Sequence, residues 1–138
     1  MRDDNCIFCK IMAGEIPSYT VYEDDDFKAI LDIEPASKGH TLIITKNHYA
    51  NLMEADDEVL AKALVVGKKI ATQMKNTLGC PGINLLQNNG ELAGQTVNHL
   101  HFHLIPRFND ESEKILCGWK HQSFSADEMA QIKDSLSL

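Results

Sequence analysis

The sequence is short of several things, and each shortage excludes a class of protein. No apolar run in its 138 residues approaches the roughly 20 that a membrane-spanning helix needs. Positive charge is outnumbered, 13 Lys and Arg against 20 Asp and Glu for a net charge of -7, so neither a nucleic-acid backbone nor an anionic membrane surface is expected as the main partner. Four prolines and eight glycines leave no linker and no low-complexity tract. There are four cysteines, Cys6, Cys9, Cys80 and Cys117. The start, "MRDDNCIFCKIM", lacks the charged-then-apolar layout of a signal peptide. A cytoplasmic location is expected, with the thiols reduced, either free or bound to metal.

What is present fits one folded domain over residues 1–138. Hydrophobic residues make up 43% and charged residues 24%, ordinary values for a chain with a core. "CIFCKIMAGEI" reads as a short helix stopped near Gly14 and Pro17. "YTVYED" and "FKAILDI" read as strands of a hairpin joined by the acidic turn from Glu23 to Asp26. "TLIITK" is a β-branched strand of the buried kind. A long helix is predicted from apolar residues at Val59, Leu60, Ala63, Leu64, Gly67, Ile70, Ala71, Met74 and Leu78, at spacings of three and four. Asp56, Asp57 and Glu58 suit its start, Lys68, Lys69 and Lys75 its end, and Gly79 with Pro81 terminates it. "INLLQNN" is the next strand, "GELAGQT" a glycine-bearing loop, and "HLHFHLIPRF" the following strand. A last helix over about 125–136 starts at Ser125, with Glu128 completing a capping box and Phe124 and Met129 forming a hydrophobic staple. The expected class is α+β: a meander-like antiparallel sheet of about five strands, a long helix on one face, and short helices at both ends.

"VNHLHFHLIPR" (Val97 to Arg107) carries the chemistry. His99, His101 and His103 alternate with Leu100, Phe102 and Leu104, which is the period of a strand. The imidazoles then share one face about 7 Å apart, and the apolar residues turn to the core. Three readings compete: a solvated face, a metal site and a phosphate site. Three imidazoles along one straight strand span about 13 Å, too far to close on one ion with bonds of about 2 Å. Imidazole is a nucleophile that exchanges protons near neutral pH. The adjacent "NNGELAGQT" offers amides, a hydroxyl and unhindered backbone N–H groups. This combination favours attack on a phosphate ester, anhydride or amidate.

The pattern His-φ-His-φ-His-φ-φ, with φ apolar, resembles the signature of the histidine triad (HIT) family. "CIFCKIMAGEIPSYTVYEDDDFKAILDIEPASKGHTLIITKNH" is similar to the N-terminal half of its Hint-type branch, and "NNGELAGQTVNHLHFHLIPR" to its C-terminal half. The likeness runs from about Cys6 to Trp119. It implies the HIT-like fold, a homodimer, and hydrolysis of adenosine (purine) 5'-phosphoramidates or related conjugates through a nucleotidyl-histidine. The resemblance makes His101 the nucleophile, with His99 and His103 flanking it and His40 of "KGH" as a supporting histidine. It assigns phosphate contacts to Asn88, Gln95 and Thr96, where the family often has serine in the last place. Asp32 becomes the ribose carboxylate, and Ile7, Phe8, Ile11, Ile16 and Ile33 the walls around the base.

Cys6 and Cys9 form C-x-x-C, a weak pattern alone. Bacterial members that the chain resembles hold zinc through two cysteines of this segment, a histidine at the position of His48, and the first triad histidine. That implies Cys6, Cys9, His48 and His99 around a structural ion with no open position, no cofactor being required for the chemistry. The resemblance also brings Trp119 to the dimer and the partner's substrate rim. Cys80 and Cys117 have no identifiable partner. Two other functions stay open: cleavage of a dinucleoside polyphosphate, which "GQTVNHLHFHLIPR" also resembles, and a nucleotide-binding or scaffolding protein. The presence of all four histidines favours catalysis.

Overall fold

A computed structural model describes residues 1–109 and 120–138; Cys117 and Trp119 lie outside the described residues. Five strands form one antiparallel sheet: β1 (Thr20–Glu23), β2 (Phe27–Leu31), β3 (Thr41–Thr45), β4 (Gly82–Leu86) and β5 (His101–Arg107). The helices are α1 (Ile7–Met12), α2 (Asp57–Leu78) and α3 (Ala126–Leu136).

The meander holds for the first three strands, and then β5 inserts between β3 and β4, giving the order β1-β2-β3-β5-β4. Helix α2 carries the chain from β3 to the far edge, and β5 returns to fill the gap between them. The turn after β1 closes on Asp24, whose Oδ1 accepts from the backbone N–H groups of Asp26 (2.9 Å) and Phe27 (2.8 Å). A short polar side chain that bonds the backbone two or three residues on favours such a turn.

Every residue of β3 is buried, because both faces of the sheet are covered. On one face Phe27, Ala29, Ile43, Phe102 and Leu104 pack against Val66, Ile70 and Met74 of α2. On the other, Ile30, Leu42 and Ile44 pack against Phe8, Cys9 and Ile11 of α1. The predicted spans of α2 and α3 agree to within a residue or two, whereas α1 stops at Met12, four residues short of the expected stretch, and the face of α2 differs in detail. Leu64, counted among its apolar positions, is 60% exposed, and Val66 takes its place in the core. Gly67 lets α2 approach closely, since a Cβ there would stand 3.3 Å from Leu85.

Gly79 ends α2 in the left-handed conformation (φ 64°), the usual glycine terminator. Asp56 precedes α2 without capping it; its Oδ2 instead accepts from the Tyr49 hydroxyl at 3.0 Å. The Ser125–Glu128 capping box of α3 forms in both directions. Phe124 and Met129, the expected staple, both remain half exposed.

Candidate functional site

The register of β5 against β3 builds the site. Ile44 opposes His101, and Leu42 opposes His103, so the two imidazoles lie on the α1 face with ring centroids 5.1 Å apart. Leu100, Phe102 and Leu104 enter the opposite core as expected. His99 differs from expectation. It lies in a bend before β5 rather than on the strand, and its ring is completely buried. The straight row of three is therefore two strand residues and one that turns away.

His99 turns toward α1. Cys6 and Cys9 sit one helical turn apart at the start of that helix, and His48 follows the end of β3. The His99 Nδ1 lies 3.3 Å from Cys6 Sγ, 3.6 Å from Cys9 Sγ and 3.2 Å from His48 Nδ1. Cys9 Sγ is 3.4 Å from His48 Nδ1, and all four ligand atoms fall within 4.8 Å of one another. A tetrahedral zinc ion with bonds of about 2.3 Å to sulfur and about 2.0 Å to nitrogen separates its ligands by roughly 3.3–3.8 Å. The donor set fits. His99 Nε2 donates to the Thr45 carbonyl at 2.7 Å, which leaves Nδ1 unprotonated toward the sulfurs, as ligation requires. Burial pushes the His99 imidazolium down to about 4. Burial also raises the Cys9 thiol, so a neighbouring cation would be needed to hold it as thiolate.

The same residue orients the next. The carbonyl of His99 accepts from His101 Nδ1 at 2.6 Å. A carbonyl can only accept, so the proton of a neutral His101 is on Nδ1 and the lone pair is on Nε2. Burial holds the His101 imidazolium below its ordinary range. Phe8 meets the rings of His99 and His101 edge-on, at 5.8 Å and 5.1 Å, and so clamps both.

A second chain of hydrogen bonds fixes His103. The backbone N–H of Ala36 donates to His40 Nδ1 at 3.0 Å, so His40 carries its proton on Nε2. That Nε2–H faces His103 Nδ1 at 2.9 Å, which places the His103 proton on Nε2. Burial, then the neighbouring His101 and His40, press the His103 imidazolium down to about 4. Burial lowers His40 as well. Asp32, His40 and His103 also lie close enough to share an ion, but His40 cannot offer a lone pair from Nε2 while Nδ1 accepts the Ala36 amide. Within that group His40 and His103 form the hydrogen-bonded pair, and Asp32 Oδ2 stands 3.6 Å from His40 Nε2.

A cleft of about 280 Å³ opens between α1 and the end of β2. Ile7, Phe8, Ile11, Ile16, Ile33, Asp32, Thr96, His101 and His103 all border it. Asp32 stands just past β2 rather than inside a strand, with Oδ1 accepting from the Glu34 N–H at 2.9 Å. Asn88 and Gln95 are not on the cleft wall. Asn88 donates to the Gly94 carbonyl. The buried Gln95 amide donates to the carbonyls of Ala50 (2.7 Å) and Val97 (3.0 Å) and accepts from the Gly90 N–H (2.8 Å). Both brace the loop before β5.

Sequence reasoning missed Ala36 and Thr45, which act through the backbone and leave no side-chain signal. A larger cavity of about 490 Å³ lies between α2 and β1–β2. Among the described residues no histidine, cysteine or carboxylate lines it.

A family model described as HIT domain matches residues 13–110. The chain is 42% identical over 134 residues to adenosine 5'-monophosphoramidase HNT1 of Saccharomyces cerevisiae, covering 97% of this chain and 82% of that one. The crystal structure of a HIT family member from Bacillus subtilis superposes with a TM-score of 0.86 at 40% identity, covering 96% and 95% of the two chains. A zinc-bound histidine triad family protein from Mycobacterium smegmatis superposes with a TM-score of 0.75 at 33% identity over 94% and 96%.

Proposed function

The chain belongs to the HIT domain family, and on that premise we propose that it hydrolyses adenosine or other purine 5'-phosphoramidates, and related nucleotidyl conjugates, to the nucleoside monophosphate through a nucleotidyl-histidine. One observation carries the reading: the His99 carbonyl holds the His101 proton on Nδ1 and leaves a lone pair on Nε2 in the cleft. Neutral imidazole is the nucleophilic form, and burial keeps it neutral.

His101 Nε2 attacks the α-phosphorus and the bond to the leaving nitrogen breaks, the amine taking up a proton. Water then cleaves the phosphorus–His101 bond, releasing the monophosphate and free imidazole. His103, locked as the Nε2–H tautomer by His40, donates to a phosphoryl oxygen or the leaving nitrogen. The Thr96 hydroxyl adds a phosphate contact. Asp32 accepts the ribose hydroxyls, and Ile7, Ile11, Ile16 and Ile33 enclose the base, with Phe8 reaching it from behind the histidines.

Cys6, Cys9, His48 and His99 would hold a zinc ion that ties α1 to the segments after β3 and before β5 and takes no part in bond breaking. The yeast relative's name supports the substrate class, and the zinc-bound mycobacterial relative supports the ion. The protein works as a homodimer. Leu64 and Val65 on the outer side of α2, and Leu85 on the edge strand β4, are exposed and supply an apolar surface for a second copy. Light scattering on the purified protein should give twice the chain mass; a monomer at working concentration would remove this part.

Turnover decides the substrate class. Release of AMP from an adenosine 5'-phosphoramidate, measured beside a diadenosine polyphosphate, should be faster for the phosphoramidate. Faster cleavage of the polyphosphate would make the anhydride the substrate. Binding of AMP with turnover of neither would make the protein a nucleotide sensor.

A further inference from the structure

A nucleotidyl conjugate needs room on both sides of its phosphorus. The nucleoside side is the cleft bounded by α1 and Asp32. In-line displacement sends the departing group away from the attacking nitrogen, so it must lie outside that cleft. A second depression of about 470 Å³ adjoins it, lined by Gly90, Glu91, Gln95, Thr96 and Asn98. Thr96 borders both, which places the phosphate contact at their junction.

The residues that line this depression are glycine or carry polar side chains, and among the described residues Glu91 is the only ionisable one. Glu91 forms no ion pair with another described residue. Its backbone is nonetheless held in place. It begins a single helical turn, Glu91–Ala93, between Gly90 and Gly94, both at φ 91°. Gln95 closes the loop from below through the Gly90 N–H and the carbonyls of Ala50 and Val97. A fixed loop presents its charge at a fixed distance from Thr96, whatever the carboxylate's own freedom in solvent.

We propose that this depression is the leaving-group subsite, and that Glu91 selects conjugates whose departing amine carries a second, positively charged group. The inference rests on the phosphoramidase reading above and gives it a substrate class. A terminal ammonium a few bonds from the leaving nitrogen reaches the Glu91 carboxylate. A polyanionic leaving group, as in a dinucleoside polyphosphate, meets an unpaired negative charge there.

The test uses three adenosine 5'-phosphoramidates whose leaving amines have equal length and end in an ammonium, a methyl or a carboxylate group. The unmodified protein should show kcat/KM higher for the ammonium than for the carboxylate by roughly fivefold, the scale of an exposed charge pair, and the ratio should shrink in high salt. Glu91→Gln should bring the ratio toward one, and Glu91→Lys should invert it. The net charge of -7 pulls weakly on every cation but changes by only one unit in the Gln variant, so the collapse of the ratio isolates the local effect. Melting temperatures show that the variants are folded. An unchanged ratio in Glu91→Gln, or a preference for the carboxylate in the unmodified protein, overturns the assignment of Glu91. If the methyl-ended substrate is not turned over by the unmodified protein, the phosphoramidase reading fails and this inference falls with it.

Discussion

At the scale of the residue, the site is a set of proton positions fixed by backbone groups. The Ala36 N–H, the His99 carbonyl and the Thr45 carbonyl each decide which nitrogen of an imidazole is protonated. His40→Ala removes the donor to His103 Nδ1 and frees His103 to adopt the other tautomer; kcat for an adenosine phosphoramidate should fall roughly tenfold or more, with KM little changed. A kcat equal to that of the unmodified protein would show that the His40–His103 bond does not matter. Acid should also act through His103. Its imidazolium is pressed to about 4 in the fold against about 6.5 in an unfolded chain. Between those values the unfolded chain binds the extra proton, so stability is full above about 6.5 and is lost as pH falls toward 4. Melting temperature should therefore drop from pH 7 to pH 5, and the drop should be smaller in His103→Gln; identical slopes would remove His103 from that account.

At the scale of the element, two short segments matter more than their length suggests. Helix α1 has six residues, too few to be stable alone, yet it covers a face of the sheet and bears half of the metal-ligand set. If zinc pins it, Cys9→Ala should lose the metal and melt lower by roughly 5 °C or more, while turnover changes less than stability. Unchanged melting in a protein that purifies without zinc would remove the ion. The other segment is the turn before β3. Gly39 has φ 90°, and a Cβ there would stand 2.7 Å from Leu78 Cδ1, so Gly39→Ala carries backbone strain and pushes that side-chain tip aside. It should cost about 1–3 kcal/mol and displace His40, its neighbour; denaturant unfolding and kcat report the two effects together.

At the scale of the whole molecule, the readable and the hidden parts separate by range. Local periodicity gave α2, the capping box of α3, and the opposite faces of Leu100–Leu104 and the strand histidines, because each is decided within a few residues. The insertion of β5 between β3 and β4 depends on pairing across the chain and leaves no local trace. The departure of His99 from the strand follows from contacts with Cys6 and Thr45, more than fifty residues away in sequence, so alternation alone placed it wrongly in line. Gln95 and Asn88, which the resemblance assigns to phosphate, bond within the loop before β5 and stand off the cleft wall. A side-chain amide in sequence does not say which way it points. Within the site, Asp32, His40, His101 and His103 do come together as expected, around a cleft whose other wall is α1.

The account stands on His101 as the atom that takes the nucleotide. The protein should be mixed with an adenosine phosphoramidate, quenched within a turnover, and its peptides read by mass spectrometry. The account predicts an adenylyl group on the peptide containing His101, bound through an acid-labile phosphorus–nitrogen bond, with no adduct and turnover lower by at least roughly a thousandfold in His101→Ala. Full turnover by His101→Ala, with no nucleotide trapped on the unmodified protein, would contradict it.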